Sequence, residues 1–560
     1  MVEYLTKLVR KDYHTLANAA LVLSVFSFVS QILGFFRDRL LSTLIGPSRE
    51  LDIYITAFRV PDFLYVSLAA LVSVTVLVPY FSDLSQKQNG EEKIKKVASS
   101  VFTVFALAIL LSIVILFFLM PNIAPLLAPG FDTESLKELT KISRIMLISP
   151  LLLGFSNFLG SLMQFRKLFF TYALAPVLYN FGILIGILLF YPTFGLIGLA
   201  WGVVLGGALH LLTQLPTLWF VHIPLVFIRA IDWQAVKKIF GTSLPRTLTL
   251  ALSSINLLVL FALASKLNPG SISLFNFSLN IATVPSMLVG ISFAVAAFPT
   301  LSMLFAEKRG EEFSTYFSKA IANILFWVMP LSALFIVLRA HIVRVVIGSQ
   351  NLTWSDTKIA SALVLVLTSA GILQALIPLF TRGYYARGYT WRPLWYLLGG
   401  SVVTIIFAVL CLPGNTSTFA PEWFISLMRL QNVLHPEVLF LSLAYLLGLI
   451  ISLVFMWYDF DRVSKTKVRI LGGKTIFQSF FATLVIGLVT YAVLNITSGF
   501  FPDERIWGVF FHAFISGIIG ISTGALALYL MKNEELETVV KASKVRFKKT
   551  GTIVPEKTDL

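Results

Sequence analysis

The stretch SQILGFFRDRLLSTLIGPSRELDIYITAFR, running from Ser30 to Arg59, places charge where charge is expensive. Arg37, Asp38 and Arg39 close a long apolar run that begins near Leu16, and Asp52, Arg59 and Asp62 sit in the first half of the next run. An Arg or Asp at the centre of a membrane-spanning helix costs roughly 2.5–3.5 kcal/mol on insertion scales, so such residues face a polar cavity or each other. Asp52 and Arg59 lie two helical turns apart, so an unbroken helix would project both from one face. This cluster is the feature that the other helices are expected to enclose.

Around it the chain is oily. Its 560 residues are 57% hydrophobic and 13% charged, against about 25% charged in an average soluble domain. Long Leu, Ile, Val and Phe runs recur from end to end, and the segments of about ten alternating residues that mark a transmembrane barrel do not appear. The composition specifies an all-α polytopic membrane protein. The net charge of +16 sits in the segments between apolar runs, not on one soluble face, which excludes a nucleic-acid reading. One cysteine, Cys411, lies inside an apolar run, which leaves no disulfide framework, zinc spacing or CxxC motif. Lys7, Arg10 and Lys11 precede the first apolar run, which ends without a small-x-small cleavage site. It reads as a retained helix, not a signal peptide.

A helix needs about 20 apolar residues to span the hydrocarbon core. The sequence predicts about 14 transmembrane helices, near 16–36, 52–81, 97–119, 141–164, 170–191, 195–221, 240–265, 272–303, 318–346, 358–381, 393–412, 434–457, 475–499 and 506–531. The second and eighth are too long to cross straight, and each contains a proline that can kink it, Pro61 and Pro285. With the N-terminus inside, about 30 of the 44 Lys and Arg fall on cytoplasmic segments, so both termini are expected there.

The chain also repeats itself. VPYFSDLSQKQNGEE (78–92) matches FPTLSMLFAEKRGEE (298–312) at a constant offset, aligning Pro79 with Pro299 and Gly90-Glu91-Glu92 with Gly310-Glu311-Glu312. The basic turns around Arg166 and Arg387 form a second pair at nearly the same offset. Two copies in one orientation describe two parallel six-helix lobes, a 6+6 pseudo-repeat, which typically enclose a substrate site near the bilayer midplane. The expected domains are a cytoplasmic segment 1–15, an N-lobe 16–228, a C-lobe 229–457, an extra helix pair 458–531 and a basic cytoplasmic tail 532–560.

The HExxH signature is missing, and no paired-His metal spacing occurs among the six histidines. No metal, cofactor or catalytic group is expected. Gly472-Gly473-Lys474-Thr475 suggests a phosphate loop, but Val468 stands where the motif requires Gly. His210, on an apolar helix, reads as a hydrogen-bonded structural residue. Chemistry therefore falls to the charges in or beside the spans: Arg37, Asp38, Arg39, Asp52, Arg59, Asp62 and Arg144 in the first half, and Arg246 early in the seventh helix. Carboxylates could simply pair with arginines and pin helices together. Alternatively, spare guanidinium groups from both lobes (Arg37, Arg59, Arg246) face a shared cavity and grip an anionic headgroup, because the Arg fork matches phosphate bidentately. Asp38 and Asp62 would then orient those arginines. From Asp232 to Asp459 no acidic residue lies in a span interior. A sodium or proton site is not expected there, and the membrane potential, about 2.3 kcal/mol per charge per 100 mV, is the simpler driving force.

The motif Ser30-Gln31-Ile32-Leu33-Gly34-Phe35-Phe36-Arg37-Asp38, followed by Asp52 and Ala57-Phe58-Arg59-Val60-Pro61-Asp62, resembles the MurJ (MviN) family of lipid II flippases, and the likeness covers nearly the whole chain. It implies the multidrug/oligosaccharidyl-lipid/polysaccharide flippase fold in a bacterial inner membrane. The implied activity moves a lipid-linked peptidoglycan precursor from the inner to the outer leaflet by alternating access. Arg37, Asp38, Asp52 and Arg59 match family positions. The departures are Gln31 for the first motif Arg, Tyr65-Val66 for an arginine pair, Ala70 for a Glu, and Asn280 (or a neighbour) for an arginine of the eighth helix. Arg246, not a usual family position, could supply one cation back. The implied partners are a polyprenyl-diphosphate saccharide and membrane lipids. Alternatives are export of another lipid-linked polysaccharide or an amphipathic small molecule, or a non-transporting scaffold recruiting cell-wall synthesis proteins.

Overall fold

The computed structural model describes residues 16–69, 72, 74–166, 168–218, 227–228, 230–411, 426, 428, 430, 433, 436–464, 473–502, 505–538 and 540, and among these all regular structure is helical. The first part of the chain forms α1 (Leu16–Leu44), α2 (Arg49–Ala57), α3 (Arg59–Ala69), α4 (Val74–Ser85), α5 (Gly90–Leu127), α6 (Thr133–Met146), α7 (Ile148–Phe165), α8 (Phe169–Ile185) and α9 (Leu196–Gln214). Next come α10 (Trp233–Ala264), α11 (Ser271–Ala282), α12 (Ser292–Ala306), α13 (Gly310–Val337), α14 (Arg339–Ile347) and α15 (Trp354–Ala386). The last are α16 (Arg392–Leu410), α17 (Val438–Ser464), α18 (Gly473–Ile496) and α19 (Ile506–Leu530). Twelve described helical segments are long and apolar enough to cross a membrane. The first two expected spans stand outside those twelve, as α1 and the broken run α2–α3–α4.

The breaks follow from proline. Pro61 has no N–H to donate back to Ala57, so the helix ends at Ala57 and restarts at Arg59. Around Pro285 the eighth span likewise divides, into α11, a short turn Val284–Ser286, a π-type turn Met287–Ile291 and α12. The predicted ninth span is also two helices, α13 and α14, parted at Leu338. The repeat is visible locally. Asn89, directly before α5, and Lys308, one position out of the repeat's register before α13, both take a left-handed φ of 58°, and the first turns that follow carry Glu91-Glu92 and Glu311-Glu312. Those acids sit at the positive end of each helix dipole.

Two compact units divide the chain. One comprises Met1–Phe277, Val346–Asp356 and Leu397–Ala444; the other comprises Ser278–Val345, Thr357–Tyr396 and Tyr445–Leu560. In the first, α1 packs on α8, α8 on α9, and α10 along α3 and α5, over a core that includes Phe81, Phe102, Phe105 and Phe158. Lipid is as apolar as leucine, so helices in a bilayer associate through close backbone approach at small residues. Gly198, Gly202 and Gly206 line one face of α9 against Gly182 and Gly186. A Cβ added to Gly202 would stand 2.5 Å from the Gly186 Cα, and one on Gly182 2.4 Å from Gly206.

The second unit is built on stacked rings. Phe317 and Phe460 lie 4.4 Å apart, Phe380 meets Phe317 edge-on, and the Tyr384 hydroxyl donates to the Met456 carbonyl at 2.8 Å. α18 packs on α13 and pairs with α19, where Gly520 and Gly524 abut Thr490 and Ile486. Replacing Gly202 with Val should prise α8 from α9. The expected outcome is a fall in properly folded protein, read as lost monodispersity in detergent and an unfolding midpoint lowered by many degrees. Gly241→Val, at a helix position with nothing within 4 Å of its Cβ, should leave both unchanged.

Candidate functional site

One end of the first unit is tied by hydrogen bonds among four connections. Ser42 donates from Oγ to the Ile347 carbonyl at 2.5 Å, and Asn351 from Nδ2 to the Thr43 carbonyl at 2.8 Å. The Gly130 amide donates to Ser265 Oγ at 3.1 Å. Asp52 is the centre of this knot. Its carboxylate is 1% exposed and accepts from the Gly270 amide (2.7 Å), the Ser273 amide (2.8 Å) and the Ser273 hydroxyl (2.5 Å). It thus caps α11 from across the fold, answering orphan N–H groups and the positive dipole end together. Both its oxygens are spent on this closure, so Asp52 is a clasp between helix ends and not a group turned to a ligand.

The charge expected beside it faces elsewhere, because the break at Phe58 interrupts the two-turn register. Arg59 lies over the Phe261 ring of α10 at 3.6 Å and donates from Nη2 to Asn276 Oδ1 of α11 at 2.7 Å. Its Nε is buried without a partner, and no carboxylate lies within 4.0 Å among the described residues. One turn on, Asp62 is exposed and likewise has no ion pair among the described residues. Arg59 and Arg37 both act on it electrostatically, and it acts in turn on Tyr179 of α8. A guanidinium on a ring in a desolvated setting gains about 2 kcal/mol, which holds the group in place while leaving most of its donors free.

The remaining sequence-predicted residues divide. Arg37 is bound to its neighbour, with Nε at 3.0 Å and Nη2 at 2.8 Å from Asp38 Oδ1; Asp38 is buried and Arg37 one-quarter exposed. Arg37 is therefore neutralised but still reachable. Gln31 is exposed on α1. Asn280 lies one turn beyond Asn276 on α11, and it is Asn276 that holds Arg59. Arg246 is half-buried on α10, the same helix as Phe261. At 1.5 Å per residue it stands roughly 22 Å from the level of that ring, so Arg59 and Arg246 do not meet at one phosphate. α10 lies in the first compact unit, with α3 and Phe261. Arg144 donates to the Phe117 carbonyl at 2.9 Å and covers that ring, a structural tie. His210 is hydrogen-bonded as expected, its Nδ1 2.7 Å from Ser156 Oγ.

Sequence reading missed Ser273, Asn276 and Phe261. The repeat offset carried a signal for the first, since it aligns Asp52 with Ile272, next to Ser273. For Asn276 against Asn280 there was none.

The family profile of the lipid II flippase MurJ matches residues 41–516. The chain belongs to the MurJ family. Among its relatives, the lipid II flippase MurJ of Burkholderia cenocepacia is 24% identical over 70% of this chain and 77% of its own length. A probable lipid II flippase MurJ of Thermotoga maritima is 26% identical over 93% of this chain and 98% of its own. Among solved structures, a lipid II flippase MurJ in an inward closed conformation has a TM-score of 0.71 at 22% identity, covering 91% of this chain and 99% of its own. An inward-facing MATE-family multidrug transporter has a TM-score of 0.63 at 18% identity, covering 80% and 99%. These structures share the fold of this MurJ-family chain, an all-helical multi-pass membrane protein.

Asp52→Ala removes three charge-assisted bonds and leaves two buried amides unanswered, a loss on the order of 2–3 kcal/mol. The expected outcome is an unfolding midpoint several degrees lower in detergent. Ser273→Ala, which keeps both backbone donors, should cost less than half as much.

Proposed function

We propose that this MurJ-family protein translocates lipid II, a polyprenyl-diphosphate-linked saccharide, from the inner to the outer leaflet of a bacterial inner membrane. The headgroup is anchored on Arg59, the lipid tail stays in the bilayer, and both chain termini are cytoplasmic. The observation that carries the reading is Arg59 itself: a guanidinium between helices, steadied by Phe261 and Asn276, with no carboxylate in ion-pair contact among the described residues. Such a charge is costly without an anion. A diphosphate supplies one, in the bidentate geometry the fork prefers.

Asp62, one turn away, keeps the site from being purely cationic. A carboxylate beside the phosphate position weakens binding, and a transporter must release what it carries. Arg37, neutralised by Asp38, is a secondary contact, and Arg246, roughly 22 Å along α10, meets only a distal part of a large headgroup. The clasp of Asp52 on α11 closes one end of the first unit. Under alternating access that clasp opens for release and reforms for loading. An inside-negative potential favours outward movement of an anion by about 2.3 kcal/mol per charge per 100 mV.

Rescue of a flippase-depleted strain tests this directly. Arg59→Ala should abolish rescue at unchanged protein level, Arg59→Lys should retain a fraction of it, and Arg246→Ala should impair it less than Arg59→Ala. Asp62→Asn should still rescue. Full rescue by Arg59→Ala would overturn the anchor, and failure of the parent chain to rescue would favour a non-transporting scaffold or a different cargo.

A further inference from the structure

The second unit carries a groove outside the proposed headgroup site. It has a volume of about 890 Å³ and is lined, among the described residues, by Leu453, Val454, Trp457, Tyr458, Asp461 and Arg462. All six belong to α17, and their spacing makes two adjacent ladders four residues apart: Leu453–Trp457–Asp461 and Val454–Tyr458–Arg462. Each ladder passes from aliphatic through aromatic to charged over about 12 Å of helix. That is the polarity order of a phospholipid at a leaflet boundary: acyl chain, ester region, phosphate. Trp and Tyr occupy the middle position at membrane interfaces for the same reason.

Among the described residues the groove lining carries one cation, Arg462, and one anion, Asp461. Asp459 is taken by Arg392, whose Nη1 lies 2.7 and 2.8 Å from its two oxygens, and by the Tyr384 hydroxyl. Asp461 is engaged in its own contacts and acts electrostatically on Arg387, which is buried over the Phe460 ring at 3.9 Å. Arg462 is exposed, and no ion pair or hydrogen bond to it is found among the described residues. The sequence then continues with Lys465, Lys467, Arg469 and Lys474, a strongly basic run.

We propose that the groove is a binding site for an anionic phospholipid, with Arg462 on the phosphate, Trp457 and Tyr458 at the ester region, and Leu453 and Val454 along the acyl chain. The site shares no residue with the proposed headgroup contacts and is independent of which headgroup the protein transports.

Native mass spectrometry of the full chain in detergent tests it, with phosphatidylglycerol and phosphatidylcholine of the same acyl chains supplied in equal amounts. The anionic lipid should be retained about fivefold over the zwitterionic one, the ratio expected from one basic contact. Arg462→Gln should bring the ratio near parity, and Val454→Trp, which fills the groove without touching a charge, should lower retention of both. Arg59→Ala should leave the ratio unchanged, and added undecaprenyl diphosphate should not displace the phosphatidylglycerol. Equal retention by the parent chain, an unchanged ratio in Arg462→Gln, or displacement by the polyprenyl diphosphate would each overturn the proposal. Gel-filtration monodispersity of each variant separates loss of the site from loss of the fold.

Discussion

The account depends on one contact, the Arg59 guanidinium lying on the Phe261 ring with no carboxylate in ion-pair contact among the described residues. In most proteins a buried arginine is answered by an acid, and the pair is then inert. Here the ring gives orientation without neutralisation, and the amide oxygen of Asn276 fixes one nitrogen while adding no charge. The cost of holding a charge in this way is met by the rest of the unit, which must keep α3, α10 and α11 in register.

That register comes from two devices at different places in the first unit. Glycine faces on α8 and α9 bring backbones into contact, which a bilayer rewards because it offers no hydrophobic drive between helices. The polar knot around Asp52 joins chain segments more than two hundred residues apart and caps α11 from outside its own sequence. The two devices suit a transporter differently. Close glycine packing is rigid, while a carboxylate clasp of three hydrogen bonds can exchange with water and reform.

Much of this was legible before any coordinates. The charges inside oily runs located the polar cluster, the proline in each overlong span anticipated its break, and the repeated Gly-Glu-Glu turn anticipated paired helix starts that share a left-handed residue. The resemblance to the MurJ family rested on the residues flanking those same features. What stayed hidden was partner choice. Asp52 and Arg59 looked like one face of one helix, yet the break at Phe58 separates their roles, one a clasp and the other a candidate anchor. Asn276 and Asn280 differ by a single turn, and nothing in composition decides which meets Arg59. The depth of Arg246 required knowing that α10 runs beside α3, so that its Phe261 and not its arginine lies level with Arg59.

The central claim is that Arg59, held by a ring and an amide and not by a direct ion pair, binds the diphosphate. The most direct measurement is the dissociation constant of lipid II for the purified chain, with wild type, Arg59→Ala and Arg59→Lys compared against a neutral glycolipid of equal tail length. The account predicts selective binding by wild type, a loss of at least about tenfold in Arg59→Ala, partial recovery in Arg59→Lys, and no change for the neutral lipid in any of them. Equal affinity of wild type and Arg59→Ala for lipid II would contradict it.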